Sequence, residues 1–204
     1  MTAATAMRDR IVDAAIELAE HRSWEAVRLH DVAATLDISL DQVRLHFREK
    51  EDLADAWFDR ADSAMLRAAE STEFQALTTR EQLQHLIMTW LAALAPYRKV
   101  TREMIYGKLE PGHLHIQIPG LMRVSRTVQW IREAAHRDAT FLRRALEETA
   151  LTSIYLMTFF YWMRDDSPGS AATGRCLEGW LTDAERLNRR MFGERTEKPP
   201  PPQS

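Results

Sequence analysis

The run LHDVAATLDISLDQVRLHFREKEDL, residues 29–53, constrains this chain more than any other, because its apolar spacing describes two short helices set at an angle by a tight turn. Val32, Ala33 and Leu36 form one stripe. Val43 and Phe47 form another, with Leu40 close by on the helical wheel, and Ile38 sits between the two in the turn. Ser39 is placed to cap the second helix, and Gln42 three residues later completes a capping-box pattern. A helix of about two turns does not stand alone in water, so the flanking chain has to hold it. Before it, residues 7–21 carry Ile11, Ala14, Ala15, Leu18 and Ala19 at helical spacing, and Trp24 follows as a plug for the base of the unit. After it, residues 51–70 show one face of Leu53, Trp57, Ala61, Ala64 and Ala68, opened by Glu51 and Asp52, which suit the positive end of a helix dipole. Residues 1–50 therefore read as a three-helix unit with a helix-turn-helix.

The rest of the chain is expected to be helical too. Among 204 residues only 7 are glycine, and no hairpin signal interrupts the long periodic runs, so the fold class is all-α: the N-terminal unit followed by a larger helical bundle over residues 51–193. Thr78 to Glu81 is a capping box, and Leu83, Leu86, Ile87, Trp90, Leu91 and Leu94 recur behind it as a core helix that Pro96 ends. The segment 110–120, bracketed by two Pro-Gly pairs, reads as a loop carrying His113 and His115. A helix over 121–136 then turns Leu121, Val124, Val128 and Ile131 inward and Trp130 onto an adjoining face. Residues 139–164 spell one helix of about 40 Å, apolar nearly all round at ALTSIYLMTFFYWM. A final helix repeats Leu177, Trp180 or Leu181, Ala184, Leu187 and Met191 near heptad spacing. Two such helices joined by a short turn suit a symmetric four-helix interface, with Tyr155, Phe159, Trp162, Leu177, Trp180, Leu181 and Ala184 as the dimerisation residues. Residues 194–204, with four consecutive prolines, read as a disordered tail.

Function classes narrow by what the sequence lacks. No Gly-rich phosphate loop, H-E-x-x-H or G-x-S-x-G is present, so neither an enzyme nor a bound cofactor or metal is expected. Cys176 is the sole cysteine, which excludes an intrachain disulfide. The first ten residues have no apolar signal-peptide core and no run of about 18 apolar residues occurs, so a cytoplasmic protein without integral membrane association is expected.

Residues 10–53 resemble the DNA-binding domain of TetR-type transcriptional regulators. Ile11-Val12-Asp13-Ala14-Ala15 matches the Ile-x-x-Ala-Ala of that family's first helix, and Val32-Ala33 stands for its Ile-Ala pair. The run from Arg44 through Phe47 and Lys50 to Leu53 follows its Tyr-x-x-Phe-x-x-Lys-x-x-Leu pattern, with arginine for tyrosine. Asp37 stands where the family usually has a turn glycine, and Arg28 where it has a Thr or Ser cap. The resemblance implies a helical dimer that binds palindromic duplex DNA, with a ligand site in the C-terminal domain. Its DNA contacts would fall on Arg28, Ser39, Gln42, Arg44, His46, Arg48 and Lys50. Residues 1–50 hold seven Lys and Arg against nine Asp and Glu, leaving two net negative charges, so these few cations must share one face to meet a phosphate backbone.

The C-terminal part carries a second resemblance. Arg143-Arg144-Ala145-Leu146, the run Ala150 to Tyr155, and Trp162 to Ser167 before an amphipathic last helix look like the lipid-binding accessory proteins of ubiquinone biosynthesis, which share the TetR fold without repressing genes. That likeness implies an apolar cavity for a small molecule or lipid, lined by Trp90, Tyr106, Trp130, Tyr155 and Met157. Regulator and lipid carrier both remain open at the level of sequence.

Overall fold

The computed structural model describes residues 3–109, 114–135 and 141–193. They form ten α-helices: α1 (Ala3–His21), α2 (Leu29–Thr35), α3 (Leu40–His46), α4 (Lys50–Ala69), α5 (Thr72–Gln75), α6 (Thr79–Leu94), α7 (Arg98–Leu109), α8 (Leu114–Ala134), α9 (Phe141–Trp162) and α10 (Ala171–Phe192). No strand occurs among the described residues, and none of their helices is long and apolar enough to cross a membrane. The first three helices enclose Ile11, Ala15, Val32, Val43 and Phe47, each at or near zero exposure, and Trp24 closes the base as its apolar character predicts. From there α4 continues into the bundle, where it packs most extensively along α6, while α8, α9 and α10 complete the surrounding layer.

Local chemistry explains where these helices begin. Ser71 caps α5 and Thr78 caps α6, the latter by accepting from the Glu81 amide while the Glu81 carboxylate takes the Thr78 amide and hydroxyl. Those bonds hold the Glu81 carboxyl below its ordinary value. Pro96 ends α6 in a single 3₁₀ turn, Ala95–Tyr97, that leads straight into α7. Between α9 and α10 the chain turns through Gly169 at φ +61° and Ser170 at φ +56°. Asp165 organises this turn, accepting from the Ser167 amide and from both the amide and the hydroxyl of Thr173. Burial would raise its carboxyl, yet these donors hold it well below the carboxylate range. Arg98 from the start of α7 joins them, bonding the Asp165 carbonyl and the Ser170 hydroxyl with its guanidinium over the Trp162 ring.

Two expectations differ from this arrangement, and one short helix was not expected. Residues 114–120, read as loop, are the first two turns of α8. Pro119 there forgoes one helical hydrogen bond early in the ladder, and the buried stripe of Val128, Ile131 and Ala135 further along compensates. His113 and the tail 194–204 lie outside the described residues. Leu40, expected near the stripe of Val43 and Phe47, points to solvent instead. The short helix α5 has no apolar period of its own and was hidden in the sequence; Phe74 alone anchors it in the core.

Candidate nucleic-acid interface and its link to the bundle

The helix-turn-helix is built by reciprocal caps and one unusual turn. Ser39 Oγ accepts the Gln42 amide at 3.1 Å, and Gln42 Oε1 accepts the Ser39 amide at 3.0 Å, so the capping box read from sequence is present. Asp37 adopts φ +53°, the left-handed conformation that glycine takes most readily and that aspartate tolerates better than most side chains. That geometry lets the Ile38 amide reach the Ala33 carbonyl at 3.0 Å and close the turn. At the other end of α3, Arg8 stacks over Phe47 at 4.5 Å and donates to the His46 carbonyl. Seven residues of helix are thereby held at both ends.

The residues named as DNA contacts divide into two groups. Arg28, Arg44 and Arg48 are exposed around the outer side of the motif, although the Arg28 guanidinium also donates to the Glu25 and Val27 carbonyls. Arg44 is paired with Asp41 one turn earlier, at 2.8 Å, whereas the Arg48 guanidinium has no partner among the described residues. The other group is committed to holding the module. Ser39 Oγ and Gln42 Oε1 are engaged in the cap, His46 is half-buried and accepts from Arg8 through its backbone carbonyl, and Lys50 lies over the Trp24 ring with its ammonium on the Glu25 carbonyl at 3.1 Å. Burial and then the nearby Arg28 charge lower the Lys50 ammonium from its ordinary value. The sequence did not single out Leu45, which follows Arg44 on the outer face and is the most exposed large apolar side chain described, at 70%.

Below the motif, α4 holds two sets of ion pairs within one turn of itself. Arg60 reaches back to α1, pairing with Asp13 at 2.5 Å and with the carboxylate and carbonyl of Asp9. Asp59 and Asp62 reach forward to Arg123 on α8. Asp62 is buried, and it also accepts from Trp90 Nε1 at 2.7 Å and Thr127 Oγ1 at 3.0 Å. Around this knot Phe58, Trp90, Tyr155 and Phe159 pack as stacked and edge-on rings with centroids 5.4–6.4 Å apart. Burial, with the Asp62 charge beside it, pushes the Tyr155 hydroxyl far up, so it stays neutral. A sequence signal for the knot existed: Arg123, Thr127 and Ile131 recur every four residues, which places a cation on the face that Ile131 buries. A second tie joins α7 to the module, with Glu103 accepting the Trp24 amide at 2.7 Å and Lys99 donating to the Glu20 carbonyl.

The structure corrects the proposed cavity lining. Trp90 and Tyr155 are buried together, but Tyr106, Trp130 and Met157 are exposed. Each of the three lies two positions beyond a buried residue of its helix, Met104, Val128 or Tyr155, and two residues turn a helix by about 200°. The proposed dimer residues are corrected likewise. Tyr155, Phe159, Trp162, Leu177 and Leu181 are spent on the protomer's own core, and only Trp180 and Ala184 are part-exposed. The uncovered surface of α9 and α10 is a groove of about 650 Å³ lined by Leu156, Met157, Phe160, Tyr161, Arg164 and Trp180. Leu187 and Met191 extend the exposed apolar surface along α10.

The arrangement has a close counterpart among solved structures. The crystal structure of a TetR transcriptional regulator from Nitrosomonas europaea matches with a TM-score of 0.80 and 60% identity, over 89% of this chain and 99% of that one. The chain belongs to the TetR family of transcriptional regulators. A TetR regulator from Rhodococcus sp. RHA1 shares the fold at a TM-score of 0.62 and 19% identity, over 88% of this chain and 98% of the other. So does Thermus thermophilus FadR, a TetR family repressor in complex with lauroyl-CoA, at 0.54 and 19%, over 97% and 100%. No family model matches the chain, and no curated protein does. Nothing in these comparisons favours the lipid accessory proteins; this TetR regulator is similar to proteins that control transcription.

Proposed function

We propose that this TetR regulator works as a homodimer that binds a palindromic duplex operator and releases it when an apolar small molecule or lipid enters the bundle. Residues 1–50 form the reader and residues 51–193 the ligand-binding and dimerisation part. The observation that carries the reading is α4 itself, gripped by α1 through Arg60 and by α8 through Asp59 and Asp62 within a single turn. A ligand that shifts α8 pulls on the same turn that seats the reading head. It can act only through its different affinity for the two positions of α4. Two α3 helices fit successive major grooves when they stand about 34 Å apart, and another spacing loses one of them.

Supporting the ligand part, Arg123 Nε is buried without a hydrogen-bond partner among the described residues, beside the ring cluster of Trp90 and Tyr155. That pairing suits an apolar molecule carrying one acceptor group. Supporting the dimer, the groove at Met157, Phe160, Tyr161 and Trp180 leaves aromatic surface that a second α9–α10 pair would cover. Arg28, Arg44 and Arg48 are the phosphate contacts of this reading, while Ser39, Gln42, His46 and Lys50 position them.

The test is selection of a duplex from a random library by the full chain, at low and then near-physiological salt, with the mass of the complex measured in parallel. The expected result is an inverted-repeat site bound by two protomers. Arg48→Ala should then weaken all sequences alike and flatten the salt dependence by about one counterion per protomer. A library that yields no site at either salt, together with a co-purifying lipid, would return the chain to the accessory-protein reading.

A further inference from the structure

The reading helix is unusual in what it leaves for the DNA bases. Its outer face carries Leu40, Asp41, Arg44 and Leu45, with Arg48 just past its end, and Leu40 and Leu45 are 52% and 70% exposed. Two of the polar side chains that could read base edges are partly engaged within the helix itself. The carbonyl of the Gln42 carboxamide is bonded to the Ser39 amide, which turns the side chain back toward the start of the helix. The Arg44 guanidinium is held by Asp41 through Nε and a terminal nitrogen, which engages one edge of its fork on its own helix. Beside them α3 sets bare hydrocarbon outward, on a helix whose neighbouring arginines would hold it against a phosphate backbone.

In the major groove one base edge is apolar: the 5-methyl group of thymine. We infer that Leu45, assisted by Leu40, sets operator specificity at thymine by packing on its methyl group, so that this regulator reads part of its site through apolar contact. The inference rests on the regulator reading above and names the base chemistry that its α3 recognises. A second protein is a poorer occupant for this face. Two isolated leucines set among charges offer little continuous apolar area, whereas each is matched in size to a single methyl group.

Uracil in place of thymine removes that methyl and leaves the Watson–Crick pair intact, so it isolates the contact. With the selected operator in hand, each thymine is replaced by uracil in turn and the affinity of the full chain is measured at one salt concentration. Loss of one buried methyl should weaken binding about fourfold at a contacted position, and about fifteenfold when both half-sites are changed. In Leu45→Ala that position should become indifferent to the replacement while the salt slope stays that of the parent. The exposed position makes loss of folding unexpected, and a thermal melt of the variant checks it. If uracil at every thymine leaves the parent protein's affinity unchanged, or if Leu45→Ala responds to the replacement as the parent does, the inference is overturned although an operator exists. If no operator is selected at all, the regulator reading falls first and this one with it.

Discussion

One turn of α4 is joined to the helices on either side of it by the same chemistry in opposite surroundings. Toward α1 the pairs are wet: the Arg60 side chain keeps 29% of its surface and its partners Asp9 and Asp13 keep 46% and 60%. Toward α8 the pair of Arg123 and Asp62 is dry, at 9% and 8%, and Trp90 and Thr127 complete the shell of the carboxylate. A wet pair gains little over water and reforms easily in a new geometry. A dry one has already lost its hydration and is held by its partners. The reading head is thus hung on a joint that yields, and the bundle on one that does not, which is what a helix transmitting a displacement requires.

The largest test of this contrast is Arg123→Ala, which strands the Asp62 charge among rings. A loss of about 3–5 kcal/mol is expected in urea unfolding. The double variant Asp62→Leu with Arg123→Met should recover much of it, because it removes both buried charges at once. A loss below about 1 kcal/mol for the single variant would mean that the knot is as wet as the other joint.

Asp165 sharpens the comparison from outside α4, since it is a buried carboxylate satisfied by amides and a hydroxyl rather than by a cation. Its folded pKa lies below its unfolded one, so its contribution is fully present above the ordinary aspartate value of about 3.9 and fades as pH falls through the folded value. The melting temperature of Asp165→Asn should therefore trail the parent most at neutral pH, and the gap should close on acidification below about pH 4. A gap that widened on acidification would refute the assignment.

The smallest effect belongs to the wet joint. Arg60→Ala should cost about 0.2–1 kcal/mol. A cost above about 2 kcal/mol would show that both joints are rigid and would end the comparison.

How much of this was legible beforehand follows from the range of each interaction. Caps and turns act over three or four residues, so Ser39 with Gln42 and Thr78 with Glu81 were readable as spelled. The seam of α2 and α3 was equally readable, because the apolar spacing and the cap lie in one short run. Met157, Tyr106 and Trp130 were misplaced because composition marks an aromatic or sulfur side chain as core without saying which side of the helix is covered. On α9, apolar nearly all round, the pattern contains no such information. The groove over Met157 and Tyr161, and the burial of Tyr155 and Phe159, follow from where α6 and α10 lie.

Sequence alone determined the helical class, the helix-turn-helix, and the family whose pattern residues 10–53 carry, because each is written in spacings shorter than a helix. Tertiary structure alone decided that Lys50 and Gln42 brace the module while Leu45 faces outward, and that Asp62 and Arg123 meet in the core. Asp62 and Arg123 are 61 residues apart in the chain. The cost of burying either charge is met only when the other arrives, so the pairing exists only in the folded packing and in no local stretch of the sequence.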